Sequence, residues 1–162
     1  MANVALVHDG SVDSITITLA GLGNNSSRES DKFNFSAEIW EDAAVQLVIE
    51  TGTVSGTPEV DLWFWSSIDN SSPIYPDGIT GSDAAYTLLS SPNLHRLFRL
   101  SAVANSTIYE MPSIYIASAA YLLGGKLPVT GGFVVTNRTG AAFSGTGGNN
   151  YIKIRGVYRT VT

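Results

Sequence analysis

Two histidines, His8 and His95, are the only imidazoles in the chain and stand 87 positions apart, with no cysteine anywhere to partner either of them. Neither lies in a His-Glu-x-x-His spacing, so each reads as a structural or surface residue rather than a metal ligand or catalytic base. The absence of cysteine also removes thiolate chemistry and disulfides, leaving packing or assembly as the source of stability. Acids are plentiful, but Glu38, Glu41, Asp42, Glu50, Glu59 and Asp61 fall where solvent faces and loops are expected, not as a pair flanking a scissile bond. Asp69, Asn70, Asp77 and Asp83 supply hard oxygens without the spacing of a calcium loop. No nucleophile elbow, phosphate loop or dinucleotide fingerprint occurs, and residues 145–150 (GTGGNN) read as a flexible connection. The expected class is therefore non-enzymatic, with no cofactor and no metal.

Three groups of residues remain as candidates for recognition. Trp40, Trp63, Trp65 and Tyr75 have the chemistry of a stacking platform for sugar rings, although the preferred reading places them in the core or a subunit contact. Lys153, Arg155 and Arg159 share one parity of a terminal strand with Tyr151 and Val157, while Ile152, Ile154 and Tyr158 take the other, inward one. That stripe suits an acidic protein surface, with a solubilising face as the competing explanation. Arg138 sits beside it in Asn137-Arg138-Thr139-Gly140, where Asn137 and Gly140 tolerate positive φ and Thr139 can bond locally, so a rim turn is expected there. Six Asn-x-Ser/Thr triplets, Asn137 among them, follow from a chain rich in these residues.

The elements that must position these residues are strands. In DSITITLAG, VQLVIETG and VDLWFWSS apolar residues alternate with polar or aromatic ones, placing Val45, Leu47 and Ile49 on one face and Leu62 and Phe64 opposite Trp63 and Trp65. LFRLSAVA, GFVVTN and YIKIRGVYRTV are β-branched or aromatic runs bounded by turn residues. The stretches GLGNNSSRES, TGTVSGTPE, SIDNSSPIYPDGITGSD and SGTGGNN read as loops. Two segments admit a helical turn: residues 83–91 after Ser82, and residues 112–125 ending at Gly124. Seven or eight strands in 162 residues imply one all-β sandwich or barrel spanning residues 1–162, with residues 1–12 as an extended N-terminal arm.

Net charge is −5, which disfavours nucleic acid as a partner. Residues 1–83 hold thirteen acids and two bases, whereas residues 84–162 hold one acid and seven bases. Either one face is suited to an acidic partner, or strands from the two halves interleave and mix the charges. The opening stretch has no basic region before its apolar run, and no window is apolar enough for a membrane span, so a cytoplasmic product without membrane contact is expected.

Leu127-Pro128, the strand Gly132-Phe133-Val134-Val135, the turn Asn137-Arg138-Thr139-Gly140-Ala141-Ala142 and a last strand with Tyr151, Gly156, Val157 and Tyr158 form a recognisable series. It resembles the closing strands of the jelly-roll decoration, or cement, proteins that coat the heads of tailed bacteriophages. PSIYIASAAYLLGG and VDLWFWSSIDN extend the resemblance more loosely. The resemblance implies an antiparallel jelly-roll β-sandwich of about eight strands, assembled as a homotrimer on the outer surface of the head. There it would bridge neighbouring subunits of the major capsid protein, with no enzyme activity and no cofactor. The alternative is a carbohydrate-binding jelly roll, a receptor-binding piece of a phage tail, using Trp40, Trp63, Trp65 and Tyr75.

Overall fold

In a computed structural model the chain is described over residues 4–38, 40–90, 92–120 and 126–161. Its strands are β1 (Val4–His8), β2 (Asp13–Ile15), β3 (Ser26–Glu29), β4 (Phe33–Asn34), β5 (Asp42–Glu50) and β6 (Glu59–Ser67). They continue with β7 (Ala84–Tyr86), β8 (His95–Ser101), β9 (Ile108–Glu110), β10 (Ile114–Tyr115), β11 (Thr130–Arg138) and β12 (Tyr151–Val161). Among the described residues, a helical turn, α1 (Ile116–Ala119), follows β10, and 3-10 turns occupy Phe35–Ala37 and Gly147–Asn149.

The strands form two antiparallel sheets. Sheet A runs β1-β12-β5-β10, with β2 joining β1 along one edge of β12 and β9 joining β10 along the far edge of β5. Sheet B runs β7-β3-β11-β6-β8, with β4 extending β3 along β11. If each broken pair (β1/β2, β3/β4, β9/β10) counts as one strand and β7 is set aside, the sheet orders are first-eighth-third-sixth and second-seventh-fourth-fifth. This is the double Greek key of a jelly roll, reached because each late strand folds back between two early ones.

Strict alternation fills the space between the sheets. Leu47 and Ile49 of β5, Leu62 and Phe64 of β6, Phe133 and Val135 of β11, and Ile152 and Ile154 of β12 are all buried in one cluster. Each such side chain contributes about 1.5–3 kcal/mol relative to exposure. The central strands β5, β6, β11 and β12 each run nine residues or more, and the inward parity of β5, β6 and β12 follows the sequence alternation.

A second, smaller cluster lies outside sheet B. Trp65 and Val134 on the outer face pack with Ile79, Tyr86 and Leu94, with Trp63, Tyr75 and Leu88 at its margin. The β6–β8 excursion therefore folds over the sheet and supplies the cover that an aromatic outer face requires. Residues 84–86, read as part of a helical turn, are instead β7, because Ala84–Tyr86 pair with Ser27–Glu29. The segment at 112–125 divides into β10 and α1, and its expected end at Gly124 lies outside the described residues. The amino-terminal segment enters sheet A as β1, with Val4 opposite Val161 and His8 opposite Val157. Among the described residues, no helix is long and apolar enough to cross a membrane.

Candidate functional site

The outer face of sheet A is built by register. Directly opposed residues of antiparallel strands share a face. Leu6 of β1 therefore stands beside Arg159, and His8 beside Val157 and Asp42. Arg155 stands beside Ala44 and, across β5, Tyr115, while Lys153 lies between Ser14 and Gln46. The three bases of β12 thus face outward, as their parity predicts, whereas Ile152 and Ile154 are buried.

Their surroundings differ from one base to the next. Arg159 is paired with Glu41 through Nε at 2.8 Å. Arg155 donates from Nε to the Asp9 backbone carbonyl at 2.7 Å, and the Lys153 ammonium lies 5.0 Å from the Tyr151 ring centroid. Among the described residues, neither Lys153 nor Arg155 has a carboxylate partner, so each keeps its positive charge unopposed. Around them stand apolar groups. Among the described residues, Val4, Leu6, Val12 and Tyr115 are four of ten large apolar side chains left exposed, and all belong to β1, the β1–β2 connection or β10. Two adjoining hollows of about 420 and 400 Å³ meet at His8 and Tyr115, whose Nε2 and hydroxyl approach to 3.4 Å.

A rigid underside holds this face. The Trp40 indole N–H donates to the Asp9 carboxylate at 2.9 Å, and the Asp9 amide donates to the Gly156 carbonyl at 2.8 Å. Trp40 is buried, stacks on Phe33 at 5.6 Å, and lies against Gly156 where a Cβ would overlap its ring. The Ser11 amide and the Trp40 indole hold the Asp9 carboxyl below its ordinary range, so it stays ionised. Asp42 behaves oppositely: burial pushes its carboxyl up, against hydrogen bonds from the Ala117 and Ala43 amides.

Arg138 ends β11 on the other sheet, away from the β12 stripe. Its guanidinium bonds the fully buried Asp61 carboxylate, which Arg99 also grips through Nε and Nη2 at 2.7 and 3.0 Å. One carboxylate partner of Arg138 is therefore within the chain, and the arginine does not join the β12 stripe on sheet A. The rim turn itself is present, with φ of 94° at Gly140. Asn137 does not take positive φ. It is buried, donates to the Leu22 and Ala141 carbonyls, and accepts from the Thr139 amide and hydroxyl.

The four aromatics do not share one exposed surface. Trp40 belongs to the main core and Trp65 to the outer cluster, where Tyr75 meets it edge-on at 5.3 Å. Trp63 is half-buried with the Arg96 guanidinium 5.7 Å from its ring centroid. The core reading holds for Trp40 and Trp65, so a platform of all four is excluded by burial. Of the acids whose spacing does not make a calcium loop, Asp77 bonds Asn93 and Asp83 bonds Arg28 and Thr18. Among the described residues, no three His, Cys, Asp or Glu converge as a metal site.

The apolar contribution of Leu6, Val12 and Tyr115 was missed at the sequence level. β1 is short and preceded by no turn signal, and only its pairing to β12 shows that Leu6 joins the basic stripe. Comparison with known protein families, with curated proteins and with solved structures finds no match, so the architecture and the surface chemistry of this chain carry the functional reading.

Proposed function

We propose that this protein is a non-enzymatic virion component of a tailed bacteriophage, a decoration protein that docks on the outer surface of the head through sheet A. The observation that supports this reading is the composition of that face: unopposed Lys153 and Arg155 among exposed Leu6, Val12 and Tyr115. An apolar centre with unpaired cations matches a partner surface that is apolar with acidic rims, the partner here being the major capsid protein. Weak individual contacts suffice, because a homotrimer engaging a lattice binds by several arms at once.

The test is cosedimentation with head shells assembled from the major capsid protein. Arg155→Glu and Lys153→Glu should each weaken binding and reduce its dependence on salt, while leaving the fold intact. Light scattering should give a mass near three times 17.2 kDa, about 52 kDa. Unchanged shell binding by both charge reversals refutes this docking face.

A further inference from the structure

The opposite face of the sandwich carries a groove that capsid docking through sheet A leaves unused. It has a volume of about 560 Å³ and runs over the outer face of sheet B between residues 85–90 and β8. That size is within the range of about 300–1,000 Å³ found for small-molecule sites.

Register builds its floor. Tyr86 of β7 opposes Ser27 of β3, Ser27 opposes Thr136 of β11, Thr136 opposes Asp61 of β6, and Asp61 opposes Arg99 of β8. One row of five side chains therefore crosses the entire sheet on its outer side. Arg138 stands one row to one side of it and Trp63 one row to the other.

The polar groups of this row are fixed by one another. The Ser27 and Thr136 hydroxyls bond at 2.9 Å, and Asp61 is held between Arg99 and Arg138. Arg99 also reaches Glu59 at 3.0 Å, so two guanidiniums are matched by two carboxylates and these four groups carry no net charge between them, while the Arg96 guanidinium lies against the Trp63 ring. Balanced charge disfavours phosphate and acidic ligands, which would meet Asp61 and Glu59 behind the arginines. Polar capacity nevertheless remains. Arg138 commits one nitrogen to Asp61 and keeps Nε and Nη2, and its side chain is 35% exposed. Trp63 and Tyr86, both lining the groove, have a buried indole N–H and hydroxyl with no partner in the protein. Buried donors are nearly always satisfied, so a polar molecule seated deep in the groove that reached these two groups would complete their bonding.

We propose that this groove binds a short neutral oligosaccharide. A sugar ring offers vicinal hydroxyls that both donate and accept, matching guanidinium donors and hydroxyl acceptors side by side. It also offers an apolar C–H face, which suits Trp63 and Leu88 at the groove margin. The site is independent of the docking face, and the two readings stand or fall separately.

The experiment uses the full-length protein on an array of neutral hexose and N-acetylhexosamine oligosaccharides, with sialylated and uronic-acid glycans on the same surface. The best neutral ligand is then titrated by calorimetry. Tyr86→Phe removes a hydroxyl that bonds nothing in the protein, so its melting temperature should stay unchanged while affinity falls about tenfold. Trp63→Phe should weaken binding further, and Lys153→Glu on the opposite face should leave it untouched. Retention of none of the neutral glycans at millimolar concentration overturns the proposal, as does a salt-sensitive preference for the charged ones. Full affinity in both Tyr86→Phe and Trp63→Phe overturns it as well.

Discussion

Gly156→Ala is the substitution whose cost the structure defines most sharply. Gly156 is an interior residue of β12 in extended backbone, so an alanine is conformationally welcome there and relieves the entropy that glycine carries, by about 0.5–1 kcal/mol. Against that, a Cβ at this position would overlap the Trp40 ring. Trp40 is stacked on Phe33 and held at its indole nitrogen by Asp9, so moving aside breaks both contacts. A tryptophan buries about 150–250 Å², and at about 25 cal/mol per Å² its full expulsion costs about 4–6 kcal/mol. Partial displacement with repacking brings the expected loss to about 3–4 kcal/mol. For a chain of this size, that is a fall in melting temperature of about 6–16 °C. The assay is thermal unfolding followed by circular dichroism, run as a double-mutant cycle with Trp40→Ala. In the Trp40→Ala background the alanine at 156 meets no ring and should cost less than about 1 kcal/mol. Additive losses, or a fall of less than about 2 °C in the single variant, refute the reasoning. The same change should loosen Asp9 and with it the carbonyl that holds Arg155, so shell binding should weaken alongside stability.

Three further outcomes follow from particular contacts. Asp61→Asn removes a fully buried carboxylate that two arginines share, and because both arginines are partly exposed the expected loss is about 2–3 kcal/mol by denaturant titration; a loss below about 1 kcal/mol contradicts the network. Burial raises the Asp83 carboxyl, but hydrogen bonds from Arg28 and Thr18 outweigh it and leave its pKa below the ordinary 3.8. A depressed folded value gives stability that is present above the unfolded pKa and lost as pH falls through the folded one. Thermal stability should hold down to about pH 4 and decline below it, and Asp83→Asn should flatten that decline. Gly140→Ala places a side chain at φ 94° against Ser55, which should lower stability by about 1–3 kcal/mol, and a neutral result would contradict the turn geometry.

Where long strands alternate strictly, the sequence is a sufficient guide. The inward parity of β5, β6 and β12 follows from VQLVIETG, VDLWFWSS and YIKIRGVYRTV, because one face must be apolar to be buried between sheets. Short strands escaped. β3 lies within GLGNNSSRES, which reads as turn chemistry, since Ser26–Glu29 owe their strand conformation to β11 and β7 rather than to their own propensity. β1 likewise gains its place from β12. The outward bases of β12 were legible as a set, but the apolar residues that join them come from distant segments. The charge asymmetry of the two halves also resolves through topology. Arg99 with Glu59 and Asp61, Arg138 with Asp61, and Arg159 with Glu41 each join the acidic half to the basic half. Interleaving mixes the charges, and among the described residues Arg96, Lys126, Lys153 and Arg155 of the basic half are left without a carboxylate partner. Asn137 was expected to serve through its backbone and serves through its amide, a difference that only its buried partners reveal.

The interleaved strand order has a consequence for how the protein is made. β11 lies between β3 and β6, and β12 between β1 and β5, so the middle of each sheet is the last part of it to leave the ribosome. About sixty residues separate Ser67 from Thr130, which at ~5–20 residues per second is a delay of about 3–12 s. Throughout it, β5 and β6 wait with open edges and with Leu47, Ile49, Leu62 and Phe64 uncovered. Each nascent chain is then a sticky half-sandwich, and on a crowded polysome its nearest complementary edge belongs to another copy of itself. Chaperone capacity during translation, more than the stability of the finished jelly roll, should set the yield of folded protein.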